Sequence, residues 1–179
     1  FARYHVNAKG TLVASGDNLS SLLTDNKTTG EGTIQLGVDA TIGVPHNSTF
    51  TTTFGGTLEV TGGTLSIYPN TNGAEANKTH SVFDFQSLEA LKLNGGSLSL
   101  KYDQLLLKKL HVAQNATISI DDMWADKYAD KSTVSSFGVV ELDETLTLST
   151  NWKSGVHIGL VTGSGTLKAE QTKDSESLR

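Results

Sequence analysis

Thr57-Leu58-Glu59-Val60-Thr61-Gly62-Gly63-Thr64-Leu65-Ser66-Ile67 holds the grammar of the whole chain. Two short runs place an apolar residue at every second position, and Thr-Gly-Gly separates them. Alternation with period two is the mark of a strand with one buried face. Glycine in the break allows the positive φ that a tight turn demands. The unit returns as Leu91-Lys92-Leu93, Asn94-Gly95-Gly96, Ser97-Leu98-Ser99-Leu100. Looser copies pair Leu110-His111-Val112 with Ala116–Ile120, Val140-Glu141-Leu142 with Leu146-Thr147-Leu148, and Ile158-Gly159-Leu160 with Gly163–Leu167.

The first members of these pairs begin at Leu58, Leu91, Leu110, Val140 and Ile158, with gaps of 33, 19, 30 and 18 residues. The shorter gap suits one coil of a β-solenoid and the longer one a coil carrying an inserted loop. Such a coil hides its apolar side only against neighbours above and below. The expected fold is all-β: a right-handed parallel β-helix with short loop or helical insertions, with an antiparallel β-sandwich as the alternative. The expected inward residues are Leu58, Val60, Leu65, Ile67, Leu91, Leu93, Leu98, Leu100, Val112, Ile118, Ile120, Leu142, Leu146, Leu148, Leu160 and Leu167. Earlier strands are read at Gly10–Ala14, Gly32–Gly37, Ala40–Val44 (stopping at Pro45) and Thr49–Phe54. Three segments read as helix or loop: Asn18–Leu23, Tyr102–Leu110 and Asp121–Tyr128. Tyr68–Lys78 reads as a surface loop. Residues 1–170 form one β-rich domain, and 171–179 a flexible tail.

Composition narrows the functional classes. Ser, Thr, Asn and Gly exceed a third of the 179 residues, the signature of many short strands joined by turns. Absence of cysteine excludes a disulfide scaffold and a thiolate metal site. With 14 basic against 19 acidic residues and one adjacent basic pair, Lys108-Lys109, no stripe exists to neutralise phosphates, so no nucleic-acid partner is expected. Apolar runs are too short to insert in a membrane. The chain begins at Phe1 without a leader pattern, as a piece of a longer protein would.

The stretches LKLNGGSLSL at Leu91–Leu100, NATISID ending at Asp121 and GSGTLKAE from Gly163 resemble the autotransporter-associated β-strand repeat of Gram-negative passenger domains. The resemblance spans roughly residues 55–170, with the pattern interrupted at 68–85 and 121–138. It implies export to the bacterial surface or medium, and a helix that acts as an adhesin, a stalk for an enzyme or a spacer. It carries no catalytic residue.

The acids Asp121, Asp122, Asp126 and Asp130, with Asp143 and Glu144 downstream, read as solvated rather than catalytic, since neighbouring strand residues face opposite ways. No calcium repeat is present. The histidines His5, His46, His80, His111 and His157 lack zinc-motif spacing, and His111 and His157 are expected to face outward. Gly163-Ser164-Gly165 is a turn, not a nucleophile elbow. Five Asn-x-Ser/Thr sequons, at Asn18, Asn26, Asn47, Asn77 and Asn115, would be glycan acceptors only in a eukaryotic secreted chain. No catalytic residue, metal or cofactor is expected. Trp124, Tyr128 and Trp152, with Asp126 nearby, offer ring faces and an acceptor for sugar. The expected function is a non-catalytic extracellular binding or adhesion module, directed at a host or environmental glycan and joined to neighbouring domains of its polypeptide. The alternatives are a β-helical spacer attached to a secreted carbohydrate-active enzyme, or a β-helix polysaccharide lyase or hydrolase fragment.

Overall fold

A computed structural model describes residues 2–45, 48–70, 81–101, 103–121, 134–151 and 155–172. In chain order the elements are β1 (Tyr4–Val6), β2 (Thr11–Ala14), α1 (Leu19–Leu23), β3 (Thr28–Gly30), β4 (Thr33–Leu36), β5 (Ala40–Pro45), β6 (Thr49–Thr51), β7 (Thr57–Val60) and β8 (Thr64–Asn70). They continue with β9 (Ser81–Asp84), β10 (Ala90–Leu93), β11 (Ser97–Lys101), β12 (Asp103–Val112), β13 (Ala116–Asp121), β14 (Val134–Leu142), β15 (Leu146–Asn151), β16 (Gly155–Gly163) and β17 (Leu167–Thr172).

The fold is all-β, and every strand pair among the described residues is parallel. The antiparallel sandwich is therefore set aside. Parallel neighbours need a crossover between them, and here the crossover is the strand of a second sheet. The strands β2, β4, β7, β10, β12, β14 and β16 lie side by side in a nine-stranded sheet that also takes β6 and β9. Those following them, β5, β8, β11, β13, β15 and β17, lie side by side in a six-stranded sheet. Each inner strand of these two sheets thus pairs with its counterpart one repeat earlier and one repeat later.

Registration turns the alternating pattern into ladders. Leu12, Ile34, Leu58, Leu91, Leu110, Val140 and Val161 are successive partners across the nine-stranded sheet. Ala14, Leu36, Val60, Leu93, Val112, Leu142 and Gly163 form the adjoining ladder. On the six-stranded sheet Ala40, Leu65, Leu98, Ile118, Leu148 and Ala169 stack likewise. The middle members of all three ladders sit in one hydrophobic cluster, so the two sheets share a core. Burying each leucine contributes about 1.5–3 kcal/mol.

Fourteen of the sixteen expected inward residues are buried; Leu160 and Leu167 are not. Leu167 stands in the inward row, above the buried Leu146, but belongs to β17, the last strand of its sheet, which pairs only with β15. Leu160 has a different cause. Buried positions in β12 run Asp103, Leu105, Leu107, then Leu110 and Val112, so alternation slips by one at Lys108-Lys109. The same slip falls at Gly138-Val139 in β14. Register carries it into β16, where Phe137 faces Ile158, Val139 faces Leu160 and Val140 faces Val161. The extra residue in each strand, a bulge-like device that inverts the side-chain phase, places Leu160 on the outside, 57% exposed. The ladder that the sequence begins at Ile158 therefore begins at Val161. Glycine suits the slip, because a Cβ on Gly138 would lie 2.7 Å from the Lys108 carbonyl oxygen and one on Gly159 would lie 2.5 Å from that of Gly138.

Asn18–Leu23 does form a short helix, and its Leu19, Leu22 and Leu23 are buried in the core. Tyr102–Leu110, read as helix or loop, is instead mostly strand: β12 buries Leu105 and Leu107, two apart, while pairing with both β9 and β10. Tertiary pairing outweighs the four-residue leucine spacing there. Tyr68–Asn70, read as loop, extend β8, and Gln171 and Thr172, read as tail, end β17. The rest of those loop and tail segments, and Asp122–Tyr128, lie outside the described residues.

Candidate functional site

Trp124, Tyr128, Asp126 and Trp152, the residues expected to meet a sugar, all lie outside the described residues, as do Asp122 and Asp130. The described strands show two ordered polar surfaces that the linear sequence only hints at.

The first is the outer face of the six-stranded sheet. Between its buried residues, β8, β11, β13 and β15 carry Thr64-Leu65-Ser66, Ser97-Leu98-Ser99, Thr117-Ile118-Ser119 and Thr147-Leu148-Ser149. Register aligns Thr41, Ser66, Ser99, Ser119 and Ser149 in one column, ending on Glu170 of β17. A second column runs beside it: Thr64 faces Ser97, and Thr117 faces Thr147. Strand spacing sets the step within a column at about 4.8 Å, and two residues along a strand set the columns about 6.7 Å apart. Thr64 and Ser97 hydroxyls bond each other at 2.9 Å. Among the described residues, those of Ser66, Ser99, Thr117, Ser119, Thr147 and Ser149 have no protein partner and remain available to a ligand or water.

A groove of about 550 Å³ lies along this face, lined by Gly95, Ser97, Asn115, Thr117, Thr145 and Thr147. Gly95 and Gly96 form the turn at one end, with Gly96 packed on the core residue Val60. Gly95 takes a φ of +111°, and a Cβ on Gly96 would lie 2.3 Å from Val60 Cγ1. The side chain of Asn115 is anchored there, its Oδ1 accepting from the Thr145 N–H at 3.0 Å.

The second surface is the outer row of the nine-stranded sheet, Gln35, Glu59, Lys92, His111, Glu141 and Thr162 in register. Its charges are paired along the stack. Glu59 accepts from Gln35 Nε2 at 2.9 Å and Asn94 Nδ2 at 3.1 Å, with Lys92 Nζ at 3.6 Å. Burial pushes its pKa up, but the hydrogen bonds from Gln35 and Asn94 and the Lys92 charge outweigh that, holding it below the usual carboxylate range. Lys109 Nζ lies 2.8 Å from Glu141, and His111 Nε2 lies 2.8 Å from Asp143. The Lys109 hydrogen bond holds Glu141 low despite its partial burial and the neighbouring Asp143 charge; the His111 and Lys109 charges add to it. A glycosidase needs a carboxyl whose pKa is raised to donate a proton. Glu59 and Glu141 are both shifted the other way. His111 lies on the outer row, half-buried, and His157 is exposed, so both face away from the core as expected.

The hydroxyl columns have a sequence signal, the repeated Ser/Thr-apolar-Ser/Thr triplet, but their alignment needs the register. The His111, Glu141 and Asp143 grouping has none, because thirty residues separate the histidine from its nearer acid. No family model, curated protein or solved structure matches the chain.

Proposed function

We propose that the chain is a stretch of right-handed parallel β-helix from a secreted or surface-displayed bacterial protein, akin to autotransporter passenger domains, and that it binds an extended glycan without chemistry. One observation carries the reading: two columns of hydroxyls, six of them without a protein partner, beside a polar groove on a sheet held in fixed register. A polysaccharide offers repeating hydroxyls that donate and accept, and a rigid array of the same groups meets them without ordering flexible side chains. The rings of Trp124, Tyr128 and Trp152 are the stacking faces that the sequence offers to such a ligand.

The paired charges of the opposite row favour a second reading, a spacer whose exterior is already satisfied and which presents a neighbouring enzyme or adhesin. Co-sedimentation of the full chain with insoluble polysaccharides separates the two. Thr117→Val with Ser119→Ala removes two exposed hydroxyls with little change in volume. At about 1 kcal/mol for each hydrogen bond, binding should fall about 10–30-fold with the circular dichroism unchanged. Trp124→Ala and Trp152→Ala test the aromatic contribution on a glycan array. No binding by the parent chain, or binding indifferent to all four changes, overturns the glycan reading.

A further inference from the structure

We propose that His111, Glu141 and Asp143 form a binding site for a first-row transition-metal dication of the Zn²⁺ type, clamping two successive repeats together. One ligand atom from each of the three lies within 4.8 Å of the others. Tetrahedral zinc with bonds of 2.0–2.2 Å holds its ligands about 3.3 Å apart, so side-chain rotation of roughly an ångström closes the set. The backbones beneath are fixed: His111 and Glu141 are register partners, and the Asp143 N–H donates to the Val112 carbonyl at 2.9 Å. His111 and Asp143 already touch at 2.8 Å.

The donor set selects the metal. An imidazole nitrogen with two carboxylates suits zinc or cobalt, whereas calcium and magnesium prefer oxygen alone. Three protein ligands leave a fourth position toward solvent, where the Asp143 side chain is 52% exposed. The Lys109 ammonium, 2.8 Å from Glu141, shows that this carboxylate already accommodates a cation from the same strand as the histidine. Lysine and metal therefore compete for one carboxylate, and the competition gives the site a distinctive response to mutation.

The test uses the full chain, freed of metal by a chelator and then titrated. Zn²⁺ at about a hundredfold its dissociation constant should raise the unfolding midpoint by about 5–10 °C, and Co²⁺ should give the visible absorption of a tetrahedral site. His111→Ala, His111→Gln and Asp143→Asn should each abolish both signals, Ca²⁺ and Mg²⁺ should produce neither, and Lys109→Met should tighten binding. No Zn²⁺-dependent rise, a rise that survives the His111 and Asp143 changes, or weaker binding by Lys109→Met would each overturn the site.

Discussion

Leu91→Ala and Leu160→Ala are the same chemical change at two positions that the alternating pattern treats alike, and the fold separates them. Leu91 is fully buried between Leu58 and Leu110 in the central ladder. Truncation removes three carbons, about 2.4 kcal/mol at about 0.8 per methylene, and the rungs above and below cannot collapse into the gap without breaking register. With the cavity, the expected loss is about 3–4 kcal/mol, inside the range of buried Leu→Ala changes. Leu160 lies past the slip at Gly159, 57% exposed, so its truncation should cost about 0.5 kcal/mol or less. Urea unfolding followed by circular dichroism gives both values. Because stacked repeats can open unevenly, amide exchange in β10 and β16 should accompany it, with faster exchange spreading from β10 only in Leu91→Ala. Equal losses in the two variants would refute the stacked slip and return Leu160 to the core.

Other outcomes follow from single contacts. Gly96→Ala puts a methyl 2.3 Å from Val60 Cγ1 and 3.2 Å from the Val60 carbonyl oxygen; it should cost about 1–3 kcal/mol, and adding Val60→Ala should not deepen the loss by a full core truncation, as a double-mutant cycle in urea will show. Glu59 has a folded pKa below its unfolded one, so its stabilisation is complete above the unfolded carboxylate range and disappears as pH falls through the folded value. Thermal unfolding of Glu59→Gln should accordingly lose less stability than the parent between neutral and acid pH; an identical slope would show that Gln35, Asn94 and Lys92 do not favour the ionised form.

Period-two alternation and Gly-Gly or Asn breaks are enough to read short strands and the buried faces of β7, β8, β10, β11, β13 and β15, whereas leucine spacing leaves Asn18–Leu23 as helix or loop and only the pairing shows the strands to be parallel. The alternation is local: the two-residue repeat chooses which side of a strand is apolar before any partner is present. Burial of Leu160 was misread because a slip of one residue is recorded in the neighbouring strand rather than in Ile158-Gly159-Leu160 itself. Leu110-His111-Val112 reads as a strand, but the preceding half of β12 is hidden by Leu106 and Leu110, whose four-residue spacing fits a helix equally well.

What the sequence alone determined, then, is the alternation and hence the class of element and the inward residues of the regular rungs. Tertiary structure decided the register. Only hydrogen bonding to the strands on either side aligns Thr41, Ser66, Ser99, Ser119 and Ser149 in a column, brings His111 to Glu141 and Asp143, and exposes Leu167 at the last strand. Side-chain phase is a property of one strand, whereas a ladder is a property of many. Residues 19 to 33 positions apart become neighbours at one strand spacing once the repeats stack.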